Sequence, residues 1–287
     1  MFSFPRYLAA KKSVDDRALN GHVWHKLWEE LPASSRQRPL SILEIGAGTG
    51  SMIQRILDTH HLSHALYTAI DADPDNIAVL EGQLQGWAEA RPHFIVMAQA
   101  IDLYDFLPRN QERYDLLIAH AVLDLLPLAE TLPALLGLLQ PNGLFYFTLN
   151  FDGVTAFQPP TPLGEAFDDE VERVYHRTMD ERHTNGRRSG DSRTGRHLLP
   201  LLRQCGAEIT AVGGSDWVVC PPYPHDEAYF LSHILHFFDQ SLSHHPDLPA
   251  DQFAQWLAAR RAQLASGDLI YLAHQLDVLG KVAADNN

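Results

Sequence analysis

The run Leu43-Glu44-Ile45-Gly46-Ala47-Gly48-Thr49-Gly50 limits what this chain can fold into more than any other stretch. A short apolar segment, Leu40 to Ile45, leads into alternating glycines, and Met52, Ile53, Ile56 and Leu57 then recur at helical spacing. An apolar run of strand length bounded by glycines reads as a buried parallel strand, and the recurrence reads as one face of a helix. Glycines at the bend let the backbone turn sharply and approach a ligand, because they carry no Cβ. The helix that follows offers unpaired N–H groups and a partly positive end. Asp71 closes a second apolar run, Ala65 to Ile70. A carboxylate at that strand end can accept hydrogen bonds from both hydroxyls of a ribose. The bend alone also fits a tight turn with no ligand, but together with Asp71 it predicts nucleoside binding where the strands of an open α/β sheet end.

The rest of the chain continues the rhythm. Residues 1–38 read as one or two helices, with Trp24, Leu27, Trp28 and Leu31 at helical spacing. A helix is expected over Asp75 to Ala90, a third strand over Phe94 to Met97, and a fourth in Tyr114 to Val122. A helix from Pro127 to Leu139, the turn Gln140-Pro141-Asn142-Gly143 and a fifth strand to Asn150 follow. Strands alternating with helices imply a parallel, doubly wound sheet with right-handed crossovers. Residues 151–196 break the rhythm and read as a polar cap. A helix at His197 to Cys205 and two strands, Glu208 to Val212 and Trp217 to Cys220, resume it, with Gly213-Gly214 as a hairpin turn. Residues 223–287 read as a helical extension, in which Leu269, Leu272, Leu276 and Leu279 form the last apolar face. The expected division is thus a helical cover (1–38), a core (39–150), an insertion (151–196), the last helix and strands of the sheet (197–222) and the extension (223–287).

Charge narrows the partners. The 22 Lys and Arg against 36 Asp and Glu leave a net charge of −14, the wrong sign for a nucleic-acid backbone. Two cysteines cannot build a disulfide framework or a four-sulfur zinc site, and the 16 histidines do not come with other ligands at zinc spacing, so no metal is expected. The most apolar stretch, Leu116 to Leu139, is interrupted by His120, Asp124, Pro127, Glu130 and Pro133, which a membrane span tolerates poorly. The N-terminus has no apolar run of signal-peptide length, and the expected compartment is the cytoplasm.

The nucleoside is not read as a dinucleotide. That fingerprint wants glycine or alanine where Ser51 stands, and Glu44 has no role beside an anionic pyrophosphate but suits a cationic tail. The motifs LEIGAGTG, the Ala69-Ile70-Asp71 strand end, YDLLIAHAVLDLLP and LLQPNGLFYF together resemble the class I S-adenosylmethionine-dependent methyltransferases. The resemblance covers Leu40 to Asn150 best, and His197 to Cys220 less closely. It implies a Rossmann-like fold with a seven-stranded, mostly parallel sheet whose seventh strand is inserted antiparallel between the fifth and sixth, a place the Gly213-Gly214 hairpin suits. By the same resemblance, Gly46, Ala47, Gly48 and Gly50 lie against the methionine part and ribose of S-adenosylmethionine. Asp71 holds the ribose hydroxyls, Ala72 lies near the adenine, and His120 faces the sulfur or the substrate. The adenine amino group, often held by an acid after the third strand, falls to Gln99 or Asp102.

Methyl transfer from a sulfonium is an in-line displacement with a good leaving group, so the protein mainly positions the acceptor, an effect of about 7–11 kcal/mol. An alcohol, phenol or amine acceptor also gains from a base. His120, Asp124, His176 and His183 are the candidates, each with a structural role open beside it. The arginine-rich segment Asp168 to His197 offers Arg193 and Arg196, with His183, as a site for an acidic small molecule, since guanidinium forks take carboxylates in pairs. A solvated loop whose arginines pair with Asp168, Asp169, Glu170 and Glu172 is the alternative. Tyr7, Lys12 and Arg17 can close over the cofactor carboxylate if the first helix folds back. If it does not, they belong to a plain cover helix. The expected protein is a small-molecule methyltransferase, with homodimerisation through the C-terminal helices as a further expectation. Competing readings are a nicotinamide-dependent oxidoreductase, a methyltransferase of proteins and a nucleoside-binding protein without catalysis.

Overall fold

The computed structural model describes residues 3–59, 62, 64–184 and 186–284. Two helices open the chain, α1 (Phe4–Ala18) and α2 (Gly21–Glu30). The alternating part then runs β1 (Leu40–Ile45), α3 (Ser51–Thr59), β2 (Ala65–Asp71), α4 (Pro74–Ala90), β3 (Phe94–Ala100), α5 (Leu103–Phe106), β4 (Tyr114–His120), α6 (Leu128–Leu136) and β5 (Leu139–Gln158). Next come α7 (Glu165–Asp180), the short pair β6 (His183–Thr184) and β7 (Arg187–Arg188), α8 (Thr194–Gln204), β8 (Glu208–Gly214) and β9 (Trp217–Val219). The chain closes with α9 (Glu227–Leu242), α10 (Ala250–Ser266) and β10 (Ile270–Lys281).

The main sheet runs in the order β3-β2-β1-β4-β5-β10-β8, with β9 also against β10. Strands β1 to β5 are mutually parallel. β10 is antiparallel to β5, β8 and β9. The doubly wound α/β fold expected from the periodicity is therefore present, with helical additions at the N-terminus and before β10.

Three expectations need correction. The last leucine face is a strand, not a helix. Leu269, Leu272, Leu276 and Leu279 imitate helical spacing because β10 carries register shifts between Ala273 and Gln275 and between Leu276 and Val278. Its Gly280 lies so close to the Glu208 carbonyl and the Phe145 ring that no Cβ could fit there. Gly213-Gly214 does not turn a hairpin. β8 and β9 lie in line along β10, with Gly214 opposite Leu276 and Trp217 opposite Ala273. The inserted antiparallel strand is thus β10, reached only after the helices of the extension. The fifth strand also runs well past Asn150, so the first residues assigned to the cap belong to the sheet.

Three apolar clusters hold these layers together. α2, α3 and α4 cover one sheet face through residues such as Leu27, Ile53, Ile56 and Leu80. α6 and α8 cover the other through Leu132, Leu135, Leu198 and Leu202. A third cluster joins α1, α7, α9 and α10 through Tyr7, Val171, Phe230, Phe238 and Trp256. The aromatic faces of α9 and α10 point into this cluster, and Phe230, Phe238, Phe253 and Trp256 are buried. Ion pairs from Arg6 to Asp226 (2.9 Å) and from Arg17 to Glu227 (2.5 Å) tie α1 across α9. Among the described residues no helix is long and apolar enough to cross a membrane.

Candidate functional site

A cavity of about 600 Å³ opens at the carboxyl ends of β1, β2 and β4 and continues under α1, α7 and α9. Its floor is the glycine-rich bend. Gly46, Gly48 and Gly50 have φ values of 64°, 54° and 86°, a left-handed conformation that side chains disfavour. A Cβ on Gly46 would also stand 2.7 Å from Val122 Cγ2. The bend therefore requires glycine twice over. Asp71 ends β2 beside it, and its carboxylate accepts from Gly48 N (2.8 Å), Asp73 N (2.9 Å) and Asn76 Nδ2 (3.2 Å). These bonds fix the acid in one orientation at the cavity wall. Asp73 in turn caps α4, with its side chain 2.9 Å from Asp75 N. Glu44 lies beneath, buried, and accepts from the Tyr67 hydroxyl at 2.7 Å. Burial pushes its carboxyl up to about 8, so it is largely protonated at neutral pH.

A second network stands between the bend and the cap. Asp15 of α1 accepts from Lys11 Nζ at 2.6 Å and from Trp217 Nε1 at 2.9 Å, and lies 3.3 Å from His120 Nε2. Burial alone would raise its carboxyl; Lys11 and then His120 overcome this and hold it at about 2. His120 ends β4, with Nδ1 2.7 Å from Thr148 Oγ1. Burial pushes its imidazole down to about 4 against the pull of Asp15, so the ring is neutral at pH 7. Both ring nitrogens are engaged by the protein.

Of the residues predicted from sequence, Glu44, Gly46, Ala47, Gly48, Asp71, Ala72, His120, Asp124 and Tyr7 line this cavity. Gly50 lies beneath the bend, against Trp87 and Leu80. Tyr7 is held by stacking on His233, with ring centroids 4.5 Å apart. Others are elsewhere. Arg17 faces away to Glu227, the partner its helix register offers. Lys12 pairs with Asp16 at 2.6 Å. Gln99 is exposed on the edge strand β3, and Asp102 caps α5 through Tyr104 N at 2.8 Å. His176 bonds Thr155 Oγ1 at 2.9 Å and opens, with Arg193, into a separate recess behind that threonine. Burial lowers His176 to about 4. Arg196 grips Asp152 through bonds of 2.8 and 3.0 Å, and His183 is exposed with Nδ1 2.7 Å from the Glu181 carbonyl. The three residues expected to hold an acidic substrate thus lie outside the cavity: Arg196 is taken up by Asp152, Arg193 lines the separate recess and His183 is exposed. The arginine that does line it is Arg182, just past the end of α7.

Residues 43–145 match the family model described as a methyltransferase domain. That match spans about a third of the chain and takes in the glycine-rich bend, Asp71 and His120. Among solved structures, an S-adenosylmethionine-dependent methyltransferase from Geobacter sulfurreducens, in complex with S-adenosylhomocysteine, matches with a TM-score of 0.51 at 15% identity, over 97% of this chain and 99% of that one. A protein from Bacillus halodurans assigned as a methyltransferase matches with a TM-score of 0.52 at 12% identity, over 92% and 100% of the two chains. At these identities the likeness is one of fold. No curated protein sequence matches the chain. The cavity divides into a half over the bend and a half under the cap, walled by Phe151, Tyr175, Trp217 and Phe237. Lys11, Asp15, Trp217 and Arg182 were missed by sequence reasoning. Lys11 and Asp15 look like an ordinary i,i+4 surface pair, and Arg182 is one arginine among several in its segment.

Proposed function

We propose that the protein transfers the methyl group of S-adenosylmethionine to a small molecule enclosed between the glycine-rich bend and the helical cap. One observation carries this reading: a single cavity joins the bend, Asp71 and the apolar cap wall, so that a nucleoside-sized and an acceptor-sized space share one volume. The residues present fit the cofactor. Gly46, Ala47, Gly48 and Gly50 give a floor without side chains, which a Cβ at Gly46 would disrupt. Asp71 is oriented to take two ribose hydroxyls, and Ala72 would lie beside the adenine. Glu44 regains its negative charge when a cation such as the methionine ammonium is placed beside it.

When bound, S-adenosylmethionine supplies a methyl group on a sulfonium, so the bond to the acceptor forms as the carbon–sulfur bond breaks and its electron pair stays on sulfur. The chain's own part is to hold the acceptor in line and to exclude water. His120 is a positioning residue, since Asp15 and Thr148 occupy its two nitrogens. Asp124 is the base we assign for an acceptor that loses a proton. It lines the cavity, and burial raises its carboxyl toward the range useful for a base. The enclosed volume also favours a small acceptor over a protein side chain.

Titration calorimetry with S-adenosylmethionine, S-adenosylhomocysteine and NAD tests the reading. The two sulfur compounds are expected to bind and NAD is not. Asp71→Asn is expected to weaken their binding by tenfold or more, the loss of a charge-assisted bond of about 1.5–3 kcal/mol. Selective binding of NAD, or unchanged affinity in the variant, would overturn it.

A further inference from the structure

We propose that Arg182 selects acceptors bearing a single carboxylate on a flat, apolar body. This rests on the reading of the cavity as a methyl-transfer site and specifies its substrate class. Two cations line the cavity, Lys11 and Arg182. Lys11 is neutralised by Asp15 at 2.6 Å. Arg182 is not: among the described residues, no carboxylate comes within ion-pair distance of its guanidinium. Three arginines of the same segment are taken up by carboxylates, Arg173 by Glu170, Arg177 by Asp247 and Arg196 by Asp152, and Arg193 lines a separate recess. A guanidinium on the wall of a largely apolar cavity, with no ion-pair partner of its own, is free to take one from a ligand, and a planar carboxylate matches its fork with two hydrogen bonds. The field of Asp124 reaches Arg182 without an ion pair between them. One cation with an acid nearby suits a monoanion better than a doubly charged phosphate.

The rest of the acceptor half sets the body of the ligand. Tyr175 is stacked on Phe238 with centroids 3.8 Å apart, and Trp217 meets Phe230 edge-on at 5.3 Å. Tyr7 lies parallel to Phe230 at 5.7 Å. Each of these cavity rings is held by a buried phenylalanine behind it, so the wall is stiff and flat and loses little freedom when a ring slides against it. A flexible polar acceptor would find few partners on this surface.

The test measures binding in the presence of S-adenosylhomocysteine, so that it does not depend on finding the natural acceptor. The probes are 4-hydroxycinnamate and 2-naphthoate, their carboxamides and the corresponding arylamines. The acids are expected to bind about tenfold or more tightly than the amides, the value of one charge-assisted pair. Arg182→Gln is expected to abolish that ratio and Arg182→Lys to keep part of it, with S-adenosylhomocysteine affinity within about twofold of wild type in both. If acids and amides bind alike, if amines bind best, if no probe binds, or if the ratio survives in Arg182→Gln, the proposal is wrong. Failure of S-adenosylhomocysteine itself to bind would instead overturn the methyl-transfer reading on which the proposal stands.

Discussion

At the scale of single residues, the site is set by where charge is allowed to remain. Asp15 stays ionised in a buried place because Lys11, Trp217 and His120 all face it. Glu44, equally buried, has one strong donor, Tyr67, and keeps its proton up to about 8. This difference gives a pH dependence with a definite sign. Between the ordinary value of 4.5 and about 8 the unfolded chain has lost the proton and the folded chain has not. The folded state binds more protons across that window, so stability falls as pH rises through it. Glu44→Gln keeps an oxygen to accept from Tyr67 and removes the titration. Its thermal midpoint is expected to match wild type near pH 5 and to exceed it by several degrees near pH 8.5, read by scanning calorimetry across that range. A constant gap between the two proteins would show that Glu44 is not what titrates. The bend and Asp71 were legible in the sequence because their constraint is local: glycine where φ is positive, and an acid at a strand end. Arg182 was not, because only the tertiary fold separates an arginine that faces a cavity from those that face Glu170, Asp247 and Asp152.

At the scale of elements, β10 decides the architecture. It lies between β5 and β8, and its Asp277 accepts the backbone N–H groups of Leu149 (2.8 Å) and Asn20 (2.8 Å). Leu149 is a non-glycine residue at φ 54°, and Asn20 caps α2 through Val23 N at 3.1 Å. One carboxylate therefore pins a strained point in β5 and the start of α2 to the last strand. Asp277→Ala is expected to lower stability by about 1–3 kcal/mol for each N–H left without an acceptor, measured by urea unfolding. A change under about 0.5 kcal/mol, the usual size for a surface substitution, would remove this role. β1 to β5 could be read from periodicity because parallel strands are buried on both faces and separated by helices of their own. β10 could not. Its leucines sit three and four apart, its bulges disturb the alternation, and a buried acid in a strand makes sense only once its two distant donors are known.

At the scale of the whole molecule, the sheet supplies the half of the cavity whose residues are close in sequence, and the cap supplies the half whose residues are not. Gly46, Asp71 and His120 come from the ends of β1, β2 and β4, neighbours in the sheet, where an open α/β sheet places its ligands. Tyr7, Trp217 and Ile234 come from α1, β9 and α9, joined by the third apolar cluster, and Arg182 from the turn after α7, and no local pattern announces their meeting. The half over the bend was therefore foreseeable, whereas the half under the cap had to be found in the fold. The most direct test of the central claim is the crystal structure of the complex with S-adenosylhomocysteine. The account predicts the ribose hydroxyls on the Asp71 carboxylate, the nucleoside over Gly46 to Gly48, and the sulfur turned toward the space bounded by Asp124, Tyr175 and Arg182. A nucleoside seated elsewhere, or a sulfur facing away from that space, would contradict it.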